Sequence, residues 1–334
     1  MNILVTGATG FIGASFVRYA LGQGLAVRAT GRRVERLAGL ERLGAEAVEG
    51  DLADPDFARR VCRGVDAVVH CAGRGGHWGR LADFQLANLG TTENVVEACI
   101  KEQVRRLVYL SSAQVYERPR GAQPVREDQL APRKRTLQAQ TRFRAEQRVF
   151  GAEEFGLQVL ALRPAPVLGE GEPTVWPGLL RLCARNRLKI LGNGLSKVDF
   201  TTQANLDHAL LCALYADDDA LGRVYNIANG APVPFWDVLN YALRQLQLTP
   251  LRAYKGVASA AFTTGLSAFA RVYWPGQPRP SLLPADIAWM TEDFILDINR
   301  ARHHLGYQPQ VSVWAGMDAL CHGWRAQDTS GKYR

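Results

Sequence analysis

Lysine is scarce, paired cysteines are missing and no long apolar run occurs in this chain of 334 residues. The six cysteines are scattered without a C-x-x-C pair, which favours reduced thiols over a disulfide framework or a zinc site. His303 and His304 would point to different sides of a helix, and we predict no metal. No apolar stretch reaches the roughly 18 residues of a membrane span, so we expect no transmembrane segment. The chain starts in a predicted strand in place of a basic and apolar leader, which favours a cytoplasmic protein.

Arginine carries almost all of the positive charge. The formal net charge is +8, and only six of the 40 basic residues are lysine. One dense cluster, residues 133–135 with Arg142, Arg144 and Arg148, lies in and just before a predicted helix. The remaining arginines are dispersed, which indicates a compositional bias rather than a binding stripe, so we expect no nucleic-acid partner. A phosphorylated cofactor explains part of the charge more economically.

The first residues carry the clearest local pattern. A short apolar run over residues 2–6 passes directly into Gly7, Gly10 and Gly13. Glycine allows a sharp turn, a close approach of the backbone to a phosphate, and tight packing of a helix on a strand. A helix that begins near Phe11 would direct its free N–H groups at a diphosphate. This stretch therefore predicts a dinucleotide site. Its predicted contacts are Gly7, Thr9, Gly10, Phe11, Ile12 and Gly13.

The end of the second predicted strand indicates which dinucleotide is bound. The strand over residues 25–30 is followed by Gly31, Arg32 and Arg33, with no acidic residue. An acid at this place accepts a hydrogen bond from the ribose of NAD, whereas arginine accommodates the 2′-phosphate of NADP. The sequence favours NADP, and NAD stays possible because arginines at a strand end can also be merely solvated.

Strands and helices alternate through the first half of the chain. Apolar runs such as residues 105–110 and 156–162 are separated by helical patterns, which include residues 81–103 and 134–154. This alternation predicts an α/β fold with a doubly wound parallel sheet.

The rhythm changes beyond residue 165, which suggests a second part. We predict a Rossmann domain over residues 1–165, whose sheet is completed by residues 196–230. Residues 166–195 and 231–334 then form a smaller, discontinuous α/β substrate domain. Residues 258–273 are apolar and predict a helix that either covers the pocket or touches a membrane surface. The lack of a basic face favours the first alternative.

Three segments together resemble a known superfamily. They are residues 6–13 (Thr-Gly-Ala-Thr-Gly-Phe-Ile-Gly), 111–116 (Ser-Ser-Ala-Gln-Val-Tyr) and 163–169 (Arg-Pro-Ala-Pro-Val-Leu-Gly). These segments resemble the extended short-chain dehydrogenases/reductases of the NAD-dependent epimerase/dehydratase superfamily. Later segments are similar to its 3β-hydroxysteroid dehydrogenase-like branch, which includes 2-alkyl-3-oxoalkanoate reductases. The resemblance implies NADP or NAD as cofactor, an apolar 3-oxoacyl or sterol-like substrate, and a homodimer formed by the helices over residues 81–103 and 134–154.

The resemblance also assigns roles to individual residues. An asparagine matched by Asn88 supports the active-site helix, and a serine matched by Ser112 hydrogen-bonds the substrate carbonyl or hydroxyl. Further cofactor contacts are implied at Asp51 and Leu52 beside the adenine, at Cys71, Ala72 and Gly73 in a turn of small residues, and at Pro164 and Val167 beside the nicotinamide.

The superfamily's Tyr-x-x-x-Lys pair does not occur anywhere in the sequence. Alignment on Ala145-Glu146 places Gln138 and Arg142 at the two positions. A glutamine amide can orient a carbonyl but cannot ionise to deliver a proton. Arg142 keeps the positive charge and can hold ribose hydroxyls, but it cannot be deprotonated to join a proton relay.

Three functions follow from this pattern. The first is a reductase or dehydrogenase that obtains its proton from Tyr116, from His77, or from a water held by Ser112 and Gln138. His77 lies in a glycine-rich loop that lines a substrate pocket or packs on the surface. The second is an NADP-binding sensor or regulator without turnover, and the third is a lyase or epimerase that uses the nucleotide differently. Fold alone does not decide among them.

Overall fold

A parallel sheet of seven strands forms the centre of the computed structural model, which describes residues 1–76, 78–116, 123–131, 136–258 and 282–328. The first six strands are β1 (Asn2–Thr6), β2 (Ala26–Gly31), β3 (Glu46–Glu49), β4 (Ala67–His70), β5 (Arg106–Leu110) and β6 (Gln158–Pro164). Together with the strand Arg223–Ile227 they take the order β3-β2-β1-β4-β5-β6 and then Arg223–Ile227, with every neighbouring pair parallel. This is the order of a doubly wound Rossmann sheet, so the predicted fold class is confirmed.

The central strands are buried on both faces because helices cover the sheet on each side. Ile3, Val5 and Val69 pack into one hydrophobic cluster, whereas the alternate residues Leu4 and Val68 pack into a second cluster on the opposite face. This explains why the strands read as continuous apolar runs. The first cluster continues into the second half of the chain, so the two parts of the molecule share one core.

The helices of the first half include α1 (Phe11–Gly22), α2 (Val34–Glu41), α3 (Pro55–Cys62), α4 (Leu81–Phe84), α5 (Thr91–Lys101) and α6 (Leu137–Phe150). The pattern over residues 81–103 predicted one helix, but a π-helical turn over Gln85–Gly90 separates α4 from α5. Such a turn re-aims side chains and is frequent at functional sites. Helix α6 starts later than predicted because Thr136 caps it, accepting a hydrogen bond from the amide of Ala139 at 3.1 Å.

The second half contains shorter elements. Its helices include α7 (Trp176–Ala184), α8 (Gln203–Leu214), α9 (Phe235–Gln245), Pro284–Thr291, Asn299–Leu305 and Val313–Asp328. Three small strand pairs accompany them: Val167–Leu168 with Thr201–Thr202, Lys197–Val198 with Val233–Pro234, and Ile190–Leu191 with Tyr254–Lys255. The helix predicted over residues 258–273 lies outside the described residues, except for its first position. The division into two domains stays a prediction.

The described residues also bear on membranes, disulfides and metals. None of their helices combines the length and the apolar character needed to cross a membrane. All six cysteines are free thiols, and in the described part of the chain no three His, Cys, Asp or Glu side chains come together as a metal site.

Candidate active site

One cleft runs along the carboxyl ends of the parallel strands and encloses about 940 Å³. The predicted site residues that line it are Gly7, Thr9, Gly10, Phe11, Ile12, Gly13, Arg32, Arg33, Asp51, Leu52, Cys71, Ala72, Gly73, Ser112, Tyr116, Gln138, Arg142, Pro164 and Val167. The fold thus brings residues from distant parts of the sequence to one place. His77 lies outside the described residues.

The glycines at one end of the cleft are required by close backbone contacts. Gly7 has φ +64°, and a Cβ added there would lie 2.7 Å from the backbone of Ala72. A Cβ added at Gly13 would lie 2.4 Å from the carbonyl oxygen of Gly7. Any side chain at either position would therefore push α1 away from the strands. Gly10 begins α1 and offers no side-chain cap, so within the described structure the first amides of the helix stay open to a phosphate.

Three arginines line the cleft near the ends of β2 and β3. Arg32 Nη1 lies 3.4 Å from Asp51 Oδ2, in an ion pair that is mostly exposed and therefore weak. Arg33 is also exposed. Sequence reasoning missed Arg36, whose Nη1 donates a 2.9 Å hydrogen bond to the carbonyl oxygen of Thr9. Arg36 follows Arg33 by three residues and Arg32 by four. This helical spacing at the start of α2 was the sequence signal that could have predicted that Arg36 lines the cleft.

Helix α6 presents Gln138 and Arg142 to the cleft from successive turns. Arg142 is buried and donates from Nη1 to the carbonyl oxygen of Leu110. Gly73 has φ +151°, and a Cβ there would lie 2.5 Å from Arg142 Nη2, so this glycine makes room for the guanidinium. Two buried polar atoms, Gln138 Oε1 and Arg142 Nε, have no hydrogen-bond partner among the described residues. Such unsatisfied groups are costly and are usually explained by function or by a ligand.

The π-helical turn connects α6 to the loop after β4. Asn88 in this turn donates from Nδ2 to Thr141 Oγ1 on α6 at 2.9 Å and accepts from the amide of Arg74 at Oδ1 at 2.7 Å. The asparagine therefore supports α6 through Thr141, as the resemblance implied.

Two serines end strand β5 at the cleft. Ser112 Oγ accepts a 3.2 Å hydrogen bond from the amide of Gln114, and its hydroxyl proton is left to donate. Ser111 also lines the cleft, and its buried Oγ has no partner in the described structure. Sequence reasoning did not single out Ser111, although it stands in the same quoted segment.

The hydroxyl of Tyr116 is engaged on both sides. It donates to Asn226 Oδ1 at 2.6 Å and accepts from Arg163 Nη1 at 2.8 Å. Burial raises the pKa of Tyr116 above its ordinary value, despite the neighbouring Arg163. Arg163 is itself paired with Glu146 of α6, and both side chains are buried. These contacts argue against the proton-donor role expected for Tyr116 and indicate a structural one.

The other wall of the cleft is largely apolar. Trp176 and Trp289, with ring centroids 6.5 Å apart, form an aromatic surface together with Phe294. Both indoles are almost completely buried. Glu172 also lines this wall, but its carboxylate accepts hydrogen bonds from the amides of Thr174, Val175 and Trp176 and so caps α7.

Sequence comparison finds relatives over nearly the whole chain. It is 33% identical to a 2-alkyl-3-oxoalkanoate reductase of Stenotrophomonas maltophilia, over 96% of this chain and 98% of that protein. It is 29% identical to a 3 beta-hydroxysteroid dehydrogenase/Delta 5-->4-isomerase of Mycobacterium tuberculosis, over 92% of this chain and 86% of that one.

Structure comparison agrees on the fold. The UDP-glucuronic acid 4-epimerase of Bacillus cereus, solved in complex with NAD, superposes with a TM-score of 0.76 at 20% identity, over 98% of this chain and 99% of that chain. Residues 3–228 match the NAD dependent epimerase/dehydratase family. The match covers more than half of the chain and includes the glycine turn, the serines of β5 and helix α6, and the protein is therefore a member of the NAD dependent epimerase/dehydratase family.

Proposed function

We propose that this protein is an NADP(H)-dependent oxidoreductase that reduces a ketone, or oxidises a secondary alcohol, on an apolar 3-oxoacyl or sterol-like substrate. The observation that carries the proposal is the single cleft, which joins the open amides of α1 to the polar groups Ser112 and Gln138 and to the aromatic wall. Two of the sequence relatives, a 2-alkyl-3-oxoalkanoate reductase and a 3 beta-hydroxysteroid dehydrogenase/Delta 5-->4-isomerase, support the same reaction class.

The nucleotide end of the cleft, which contains Gly7, Gly10 and Gly13, fits a dinucleotide because its glycines leave a space that a Cβ would fill. The amides from Phe11 to Gly13 would hold the diphosphate, and Arg32, Arg33 and Arg36 would hold the 2′-phosphate of NADP. Arg142 would bind the nicotinamide ribose with its remaining donors, since its Nη1 donates to Leu110 while its Nε has no partner among the described residues. A bound nicotinamide supplies or accepts the hydride, and the protein supplies orientation and electrostatics.

The other end of the cleft, here called the carbonyl end, contains Ser112, Gln138 and Arg142. Among these described residues it offers hydrogen-bond donors but no ionisable acid. The Ser112 hydroxyl and the Gln138 amide can both donate to a substrate oxygen and so stabilise the charge that develops on it during reduction. We propose that the proton then comes from a water held by these two side chains. General acid catalysis by a positioned side chain contributes on the order of 10²–10⁴-fold, so turnover without the tyrosine is slow but feasible.

The proposal is tested by NADPH oxidation with a panel of medium-chain 3-oxoacyl compounds and 3-ketosteroids. We expect measurable turnover with at least one member of the panel. No turnover above background across the panel, with the protein folded and NADPH bound, would count decisively against a reductase.

A second candidate is a protein that binds NADP(H) without turnover and acts as a sensor or regulator. The observation that favours it is Gln138, which replaces the superfamily's ionisable tyrosine and leaves a buried amide oxygen unpartnered in the described structure. The double variant Gln138→Tyr with Arg142→Lys separates the two candidates. Activity that appears from nothing indicates a binding protein that has lost its chemistry, whereas a mere change in the pH profile indicates that another proton source was already working. Gln140→Tyr is the matched control, since Gln140 lies on α6 but does not line the cleft.

We further propose that residues 166–195 and 231–334 act as a substrate domain and that the protein is a homodimer. Leu81, at the start of α4, is exposed, does not line the cleft and fits a dimer contact formed by this part of the chain and α6. Light scattering on wild type and on Leu81→Glu tests the contact, because a charge at the interface should produce monomers.

A further inference from the structure

Arg74 follows the turn after β4, and its backbone is fixed relative to the active-site helix. Its amide donates to Asn88 Oδ1 at 2.7 Å, and its carbonyl oxygen accepts from Asn88 Nδ2 at 3.3 Å. The same Asn88 Nδ2 donates to Thr141 of α6 at 2.9 Å. Asn88 therefore holds Arg74 in a set position with respect to α6, which also carries Gln138 and Arg142.

The side chain of Arg74 is also held in place. Its guanidinium carbon lies 5.1 Å from the ring centroid of the buried Phe84, in a cation–π contact. Nη1 lies 3.8 Å from Asp83 Oδ2. Gly79 has φ +148°, and a Cβ there would lie 2.8 Å from Arg74 Nη2, so a larger residue would crowd the guanidinium. The Arg74 side chain nevertheless remains 42% exposed and lines the cleft.

The neighbouring carboxylate does not use up the charge of Arg74. Asp83 is held by Arg80, whose Nη2 and Nε lie 2.8 Å and 3.3 Å from its two oxygens. The hydrogen bond from Arg80 is the main reason that the pKa of Asp83 is lowered, and Arg74 adds a smaller Coulombic effect. Two guanidinium groups therefore share the carboxylate of Asp83, which pairs mainly with Arg80.

The residue after Arg74 lies close to the loop that leads into the apolar wall, since a Cβ added at Gly75 would lie 3.6 Å from Thr174 Cγ2. Two further carboxylates that line the cleft, those of Glu172 and Asp286, accept hydrogen bonds from backbone amides. Arg74 lines the same cleft as Ser112 and the aromatic wall, so its guanidinium is accessible to a substrate held there.

We propose that Arg74 is the specificity residue of the proposed oxidoreductase: it binds a carboxylate on the substrate and so selects acids over neutral ketones and alcohols. The inference rests on the proposed function. A guanidinium binds a carboxylate through two parallel N–H donors, and the partly exposed guanidinium of Arg74 suits a substrate with one carboxylate.

The test compares an acid with its neutral ester at equal chain length. Dissociation constants for 3-hydroxydecanoate and methyl 3-hydroxydecanoate are measured by calorimetry on the NADP⁺-saturated protein, together with KM for oxidation. Arg74→Gln should weaken binding of the acid about tenfold or more, the usual effect of losing a charge-assisted hydrogen bond, and leave binding of the ester and of NADP⁺ unchanged. The affinity of Arg74→Lys for the acid should lie between those of wild type and Arg74→Gln, because lysine keeps the positive charge but cannot form two parallel hydrogen bonds.

Arg42→Gln is the matched control, since Arg42 is exposed, does not line the cleft and is not paired with Asp83. It should bind acid and ester as wild type does. The inference is overturned if wild type shows no preference for the acid, if Arg74→Gln weakens acid and ester equally, or if Arg42→Gln has the same effect as Arg74→Gln. These comparisons use dissociation constants, so they can be interpreted even if the protein does not turn the substrate over. Failure of nucleotide binding would instead contradict the proposed function.

Discussion

The two ends of the cleft are built in different ways. At the nucleotide end the backbone itself forms the surface, and Gly7 and Gly13 are needed because a Cβ at either would meet backbone atoms at 2.4–2.7 Å. At the carbonyl end side chains form the surface, and three of them, Ser111, Gln138 and Arg142, leave buried polar atoms without partners in the described part of the chain. The shape of the first end is therefore fixed by backbone contacts, whereas the second depends on side chains with buried polar atoms that a ligand would satisfy.

The difference teaches where substitution is tolerated. A backbone cradle admits few changes, since a side chain at Gly13 displaces a whole helix. At the carbonyl end we propose that Gln138 and Arg142, on one face of α6, stand at the positions of the superfamily's tyrosine and lysine, so the side chains there can change while the helix keeps its place. We therefore expect nucleotide binding and chemistry to be separable by mutation.

The largest expected effect comes from Gly13→Val, which should break the nucleotide end. Its side chain would meet the carbonyl of Gly7, where a Cβ already comes within 2.4 Å, so α1 must shift. We expect NADPH affinity to fall by a factor on the order of 100 or more, since overpacking costs roughly 1–3 kcal/mol and the phosphate contacts are lost as well. Fluorescence titration with NADPH measures the loss. Gly22→Ala, at the far end of α1 with nothing within 4 Å of the added Cβ, should bind as wild type does. Equal affinity for Gly13→Val and wild type would contradict the cradle.

The next expected effect is on the preference for NADPH over NADH. Replacing Arg33 and Arg36 by serine should weaken NADPH binding about tenfold or more and leave NADH binding nearly unchanged, because only NADPH carries the 2′-phosphate. Arg42→Ala is the control, since Arg42 is exposed at the end of α2 and its side chain donates a hydrogen bond to the carbonyl of Ala38. An equal loss of affinity for NADPH and NADH would show that these arginines do not bind the 2′-phosphate.

Tyr116→Phe tests whether the phenol of Tyr116 is the proton donor at the carbonyl end. Removing the hydroxyl leaves Asn226 Oδ1 and one donor of Arg163 without a partner, which should lower the free energy of unfolding by about 1–3 kcal/mol. We expect kcat to change less than threefold on any substrate that is turned over. Urea unfolding and steady-state kinetics on the same preparation measure both quantities. A loss of kcat on the order of a hundredfold with unchanged stability would restore the proton-donor role to Tyr116.

The last expected effect is on stability alone and concerns a contact between α8 and α1. Asp207 on α8 is buried, accepts a 2.5 Å hydrogen bond from Ser15 of α1, and burial raises its pKa to about 7. An unfolded aspartate releases its proton near pH 3.9, so between about pH 4 and 7 the folded protein binds the proton more tightly. The contribution of Asp207 to stability is therefore fully present below pH 4 and is lost as the pH rises to about 7. We expect a slope of up to about −1.4 kcal/mol per pH unit.

The matched variant Asp207→Asn should remove this slope. The measurement is the difference between the urea unfolding free energies of the two proteins at pH 5, 6 and 7. A constant difference across that range would show that the carboxylate stays ionised in the folded protein. Asp237→Asn, on the exposed side of α9, is the control for a change of net charge.

The nucleotide end was predictable from sequence because glycine spacing reports backbone geometry directly. The parallel sheet was predictable because strands buried on both faces read as continuous apolar runs. Arg36, Ser111 and the position of Arg74 were not predicted, since each depends on what lies opposite it in space: the carbonyl of Thr9, the cleft floor, and the ring of Phe84. The π-helical turn was missed because its sequence has the same apolar periodicity as the α-helix that surrounds it.

Calorimetric titration of the purified protein with NADPH tests the central claim most directly. We predict one site per chain with a dissociation constant on the order of micromolar, and weaker binding of NADH. An absence of measurable binding of either nucleotide, by a protein shown to be folded, would contradict the account.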